Sequence, residues 1–278
     1  MPTTYAHYKH GETVTKKLSS EKRQVIEKYP ELFHFGVHGP DLLFYFHALQ
    51  KNHVNQMGHA IHSQSGRTFF EQSREILEQV KKEREGDYMP SLAYLYGFLC
   101  HFSLDVCCHG YIQEKIDQSG VSHLEIEAEF DRELLVRDGL DPLRTKLTRH
   151  LAPSGKNARV ISRFFKGVSQ EEIFRAMTDM VKFLDLLVVP QKTKRRIYLN
   201  LLKLAGQYEE KHGLFINFEK NPECADSTEK LMGLFDAATE LAVKLIEAFP
   251  AVEDKAFGYD FCSLSCLEPF HGEIYPVE

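Results

Sequence analysis

Apolar residues recur at intervals of three and four along 12–28, 67–83, 90–117, 123–136, 169–188, 193–208 and 227–248. That is the period of helices that bury one face, and the two-residue alternation of strands is nearly missing. The stretch from Ser91 to Ile112 differs from the rest, because Leu92, Ala93, Leu95, Phe98, Leu99, Phe102 and Leu104 leave it apolar on nearly every side. A helix of that kind belongs in the middle of a bundle. Breaks at Gly36 to Pro40, Gly86 to Pro90, Gly139 to Pro142, Pro153 to Gly155 and Asn221 to Ala225 are short enough to connect packed helices. Ser169 with Glu172 has the spacing of a capping box, and Ser227 is expected to open the last long helix. The expected fold is all-α, a single multi-helix bundle over 1–278.

Charge adds little to this picture. The 278 residues include 34 Lys and Arg against 40 Asp and Glu, a net charge of -6, so the chain as a whole is not drawn to nucleic acid or anionic lipid. The cluster Lys192, Lys194, Arg195 and Arg196 reads as a solvated helix face. The first residues lack the basic, apolar and small-residue succession of a secretory signal, and no uninterrupted apolar run reaches the ~20 residues that span a bilayer. A cytoplasmic protein with no transmembrane segment is the expectation. Six cysteines without a Cys-x2-Cys pair read as free thiols. Cys262 and Cys266 are spaced to share a metal, but no second ligand pair accompanies them.

The histidines change the picture more. There are 14, and their placement matters more than their number. His101, Asp105 and His109 stand four apart in the apolar central helix. At about 100° per residue each step turns only ~40°, so the three share one face. Groups of this kind in an apolar helix lose several kcal/mol of solvation, as an order of magnitude, unless they are paired. A divalent cation pairs with all of them. The next helix repeats the spacing with His123, Glu127 and Asp131, and two such helices can aim both sets at one cavity. The mixture of imidazole and carboxylate suits zinc first, with iron or manganese as alternatives. Upstream, Asp41 in Gly39-Pro40-Asp41 reads by itself as a helix N-cap. His59 and His62 lie three apart, on one face if that segment is helical. Phe44, Tyr45, Phe46, Phe69 and Phe70 read as core packing, with an aromatic pocket wall as the alternative.

Taken in order, Tyr5-Ala6-His7-Tyr8, Gly39-Pro40-Asp41, Gly58 to His62, Gly97-Phe98-x2-His101-x3-Asp105-x3-His109-x-Tyr111-Ile112 and His123-x3-Glu127 resemble the zinc-dependent phospholipase C family. Its secreted members are all-helical phosphodiesterases with a trinuclear zinc site, and it is related to zinc-dependent single-strand nucleases. The resemblance covers about residues 4–135. It implies His7, Asp41, His62, His101, Asp105, His109, His123 and Glu127 as metal ligands. One ion would belong to Asp41, His62, His101 and Asp105, another to His109, His123 and Glu127, and a labile third to His7 with Asp105. His62 is preferred to His59 for its position ahead of a turn and the pair Phe69-Phe70. Secreted members use their processed amino-terminal residue as a ligand of the third ion. Here Met1 and Pro2 precede His7, so the expectation is two or three Zn2+. His10, His34, His38, His47 and His53 are expected at the surface or behind the ligands.

The implied reaction is hydrolysis of a phosphodiester by a metal-activated water, with Asp41 as the catalytic residue that orients or deprotonates it. A small phosphoester or a phospholipid is the implied substrate, and a phospholipid would bring peripheral contact with a membrane. No nucleic-acid partner is expected of an acidic chain without Trp. The alternatives are a non-catalytic or degenerate metal-binding bundle, and a nuclease or nucleotide phosphodiesterase on the same scaffold. On this reading the chain divides into a metal-ligand half at 1–135, a helical completion at 140–250 and an irregular tail at 251–278.

Overall fold

Helical periodicity becomes twelve α-helices among the residues that the computed structural model describes, which are 4–48, 50–83, 85–250, 267–270 and 273–276. The first seven are α1 (Thr4–Lys17), α2 (Ser20–Lys28), α3 (Pro30–Gly36), α4 (His53–His62), α5 (Gly66–Glu83), α6 (Tyr88–Ser119) and α7 (His123–Arg137). Then come α8 (Gly155–Ser162), α9 (Gln170–Leu187), α10 (Lys192–Leu204), α11 (Tyr208–Lys211) and α12 (Ala225–Ala248). A 3-10 segment, Gly39–Tyr45, links α3 towards α4. One continuous set of buried apolar side chains runs from Tyr5 to Phe249.

The helix that is apolar all round is α6, and it is central. By length and composition it would pass for a membrane span, but the whole of its apolar window lies inside the protein. It packs most extensively against α12 and α3, with α1, α2, α5 and α8 around it. Tyr94, Tyr96, Phe98 and Phe102 on it are among the largest fully buried side chains. The crossing with α3 is a contact of backbones. A Cβ on Gly36 would come 2.2 Å from the Tyr94 carbonyl oxygen, and one on Gly97 would come 2.2 Å from that of Phe33. Glycine at both positions is what lets the two helices meet so closely.

Three expectations change. The period at 12–28 covers two helices, broken at Ser19, whose extended backbone presents its N–H and Oγ to Glu247 of α12 at 2.6 and 2.9 Å. The first of them starts well upstream of residue 12, because its buried face carries His7 and His10 and so breaks the apolar count. Second, Ser227 does not cap α12. The helix begins at Ala225, and the Ser227 hydroxyl is buried in its first turn, donating to the Cys224 carbonyl at 3.0 Å. By contrast the box at Ser169 and Glu172 forms as its spacing predicts, with both bonds present. Third, within the tail β1 (Leu267–Phe270) and β2 (Glu273–Pro276) pair antiparallel, Leu267 opposite Pro276 and Phe270 opposite Glu273, in place of irregular chain. Four residues are too few for strand alternation to register in a sequence. Cys262 and Cys266 lie outside the described residues, while Cys100, Cys107, Cys108 and Cys224 are free thiols and buried.

Candidate metal centre

Four elements, α1, the 3-10 segment, α4 and α7, converge beside α6. The first, α1, is held at its start by Asp131 of α7, whose two carboxylate oxygens accept the backbone N–H groups of Tyr5 at 3.1 Å and Ala6 at 2.7 Å. First-turn amides have no partner within a helix, and an anion is favoured there. Asp131 therefore leaves the ligand spacing of α7 and serves as a clamp that sets the entry of α1, and with it His7. The next element depends on Gly39, at φ +48°. A Cβ there would lie 2.3 Å from Cδ2 of His101. Only glycine allows the 3-10 segment to press against the His101 ring in that conformation. Asp41 is then not an N-cap: its carboxylate lies 3.0 Å from His62 Nε2. His62, at the end of α4, has Nδ1 2.8 Å from the Gly58 carbonyl oxygen. A carbonyl only accepts, so Nδ1 donates and Nε2 is turned inward.

Asp105 occupies the middle. Its Oδ2 is 3.1 Å from His101 Nε2, 3.7 Å from His109 Nδ1 and 3.9 Å from His62 Nε2, while Oδ1 is 3.4 Å from His7 Nε2. On the far side His109 Nε2 reaches Glu127 Oε1 at 3.7 Å, and His123 Nε2 reaches the same oxygen at 3.0 Å. Three sets result: His7, His101 and Asp105; Asp41, His62 and His101; His109, His123 and Glu127. Within each, the potential ligand atoms lie no more than 4.8 Å from one another. All eight residues singled out in the sequence are brought together. His59 is not, since it stays exposed against Phe44 with ring centroids 4.6 Å apart.

The electrostatics suit cations. Burial opposes charge on Asp41, Asp105 and Glu127, yet charge interactions and hydrogen bonds, those with the surrounding imidazoles among them, outweigh it and hold all three carboxyls below their usual range. Burial, with His101 alongside, pushes His7 down to about 3, so its ring is neutral and can offer a lone pair. Burial works against charge on His62 too, but its hydrogen bond with Asp41 raises it. Exposure is graded across the cluster: the His101 side chain is fully buried, whereas that of His123 is 41% exposed. The His109, His123 and Glu127 end is the open one. Imidazole and carboxylate donors in such sets fit zinc.

A neighbouring group was harder to foresee. His38 is buried at 2%, its ring edge-on to His7 with centroids 6.4 Å apart. Its Nε2 lies 2.8 Å from Nε2 of His150, which stacks on Tyr8 at 4.3 Å. His150 sits in a stretch without helical period, so no spacing points to it. His10 is likewise no surface residue, being fully buried edge-on to Phe235 at 5.2 Å. His34 is half-buried, with Nδ1 3.2 Å from the His150 carbonyl oxygen, and of these five histidines His47 and His53 lie exposed. Of the aromatic residues, Phe69 and Phe70 belong to the core, Phe69 stacked on Phe98 at 4.0 Å, and Tyr45 is buried as well. Phe44 lies along a ligand candidate, stacked on His62 at 5.3 Å.

Residues 6–179, more than half of the chain, match the family model described as zinc dependent phospholipase C. No curated protein and no solved structure shows a comparable match.

Proposed function

Since the chain belongs to the zinc-dependent phospholipase C family, we propose that it is a metal-dependent phosphoesterase that hydrolyses phosphodiesters. The observation that carries this reading is the convergence of three buried carboxylates and five imidazoles in three sets, two of which share His101, with Asp105 facing His7, His62, His101 and His109 between them. Asp41, His62, His101 and Asp105 would hold one divalent ion, and His109, His123 and Glu127 another. His7 with Asp105 would hold a third. Zinc ions bound there supply charge neutralisation at phosphorus and an acidified water.

The remaining steps belong to the side chains. Substrate approaches the open end at His123, and the fully buried His101 closes the opposite one. Asp41, with its carboxyl below the ordinary range despite burial, is ionised at neutral pH. It therefore orients the attacking water by accepting a hydrogen bond from it, and its bond to His62 fixes the direction of that acceptor. Phe44, along His62, supplies an apolar wall beside this point.

The test is elemental analysis together with turnover of chromogenic phosphodiesters and phosphomonoesters. Two or three zinc ions per chain are expected, with diester hydrolysis reduced by roughly 10²- to 10⁴-fold in Asp41→Asn. Stoichiometric metal without turnover of any ester would make the protein a non-catalytic metal binder.

A further inference from the structure

The helix α10 inverts the usual arrangement of a surface helix. Its buried residue is a cation, Arg195, and its exposed residues include Ile197 at 55%, Leu201 at 56% and Leu204 at 86%. At about 100° per residue, Leu201 and Leu204 lie within ~40° of Ile197, so the three form one narrow stripe turned to solvent. Cations border it. Lys194 stands on one flank and Arg196 on the other, with Lys192 and Lys203 behind Arg196 along a cleft of about 420 Å³. Lys192, Lys194 and Lys203 rest over the rings of Phe218, Tyr198 and Tyr208, at 5.7, 5.6 and 4.5 Å from the centroids. From Leu186 to Tyr208 the chain has five basic residues and no acidic one, within a protein of net charge -6.

The same helix is fastened to the open end of the metal centre. Arg195 stacks on Phe218 at 4.4 Å and donates to the Ile216 carbonyl. The segment containing those two residues also carries His212, whose Nε2 lies 3.1 Å from Glu125 Oε2 on the turn of α7 between His123 and Glu127. Asn217 Nδ2 donates to Glu129 at 2.9 Å on the following turn. One short length of chain thus ties the α10 stripe to the helix that bears the exposed edge of the site.

We propose that the Ile197, Leu201 and Leu204 face of α10 docks on an anionic phospholipid surface, with the flanking Lys194 and Arg196 meeting the headgroups. An apolar stripe bordered by cations is the pattern by which a helix lies in a bilayer interface, where apolar burial and attraction to anionic lipid add. The helix lies beyond the residues matched by the family model, which end at 179. In naming the surface on which a lipid substrate would be met, the inference rests on the phosphodiesterase reading.

The experiment is cosedimentation of the full chain with phosphatidylcholine vesicles, with and without phosphatidylserine. Because the chain contains no Trp, emission from Leu204→Trp gives a second, single-site readout. Binding to the phosphatidylserine vesicles is expected, with a blue shift of that indole emission and little of either on phosphatidylcholine alone. The triple variant Ile197→Ser, Leu201→Ser, Leu204→Ser should lose binding by more than about tenfold, with soluble-diester turnover and thermal midpoint unchanged. Lys194→Gln with Arg196→Gln should weaken binding by roughly thirtyfold. Failure to bind either vesicle, or equal binding by the triple variant, overturns the proposal. So does a dimer dissolved by that variant, or an oligonucleotide bound in place of vesicles. Turnover of a soluble diester without vesicle binding would remove the docking surface alone, whereas vesicle binding without turnover of any ester would keep it and remove the hydrolase.

Discussion

Around His101 the protein buries what water would keep, and along α10 it exposes what water would expel. The first region hides Asp41, Asp105 and Glu127 among imidazoles, at 7%, 4% and 2% exposure. The second leaves Leu204 at 86%. Both departures cost stability in the isolated chain, and the partners proposed above would compensate them: divalent ions in one case and a lipid surface in the other. They differ in how the rest of the fold depends on them. Several elements meet at the buried cluster, whereas the exposed stripe is turned to solvent.

The largest effect is therefore expected at the centre of the buried region. Asp105→Ala removes the carboxylate that faces His7, His62, His101 and His109. Zinc content should fall at more than one position, and phosphodiester turnover should drop by on the order of a thousandfold or more. Full zinc stoichiometry in that variant would break the comparison, since the cluster would then be polar burial without an ion. The exposed stripe supplies the contrast, because its serine variants should leave stability within about 0.5 kcal/mol.

His10 sharpens the comparison, being buried and polar but outside the ligand sets. Burial lowers its pKa from 6.5 to about 4, with the Cys100 and Ala238 carbonyls pulling the other way. The unfolded chain takes up that proton first. The contribution of His10 to stability is thus complete above pH 6.5 and is lost as pH falls from 6.5 towards about 4. The loss amounts to about 3 kcal/mol. Urea titrations of the chelated protein across that range should show a shallower slope in His10→Gln than in wild type. Equal slopes would assign the acid sensitivity to other groups.

A smaller effect belongs to Asp131→Asn. The amide keeps one acceptor oxygen where the carboxylate offers two to the Tyr5 and Ala6 amides. A loss of about 1 kcal/mol in thermal stability is expected. Turnover should fall by about tenfold, because the clamp positions His7 without touching substrate. If stability fell and turnover did not, His7 would have no part in the reaction.

Much of the buried region was legible because its spacing is unambiguous. Four-residue steps placed His101, Asp105 and His109 on one face whatever surrounded them, and an all-apolar helix made that face an interior one. What spacing cannot supply is the partner. Asp131 continues the same steps on α7, yet it turns to the amides of α1, since a helix start in the interior needs an acceptor more than the cluster needs a further ligand. His150 escaped notice because it sits in chain without a period, and the start of α1 did so because two of its inward residues are histidines. The stripe on α10 shows the opposite ambiguity. Ile197, Leu201 and Leu204 have the period of any core-facing helix, yet in the fold they face solvent while Arg195 faces in.

The meeting of Gly36 with Gly97 has a consequence for the chemistry as well as for the packing. Just past Gly36 the chain turns into the segment that presents Asp41, and one helical turn past Gly97 stands His101. The gap between these two donors is thus gauged by peptide groups in contact, which have no rotamers to change. Interleaved side chains can repack as a core drifts, and a site hung on them would drift as well. Here the tolerance on Asp41 and His101 is that of the main chain itself, and methyl-sized additions at either glycine would misalign the two side chains without touching them.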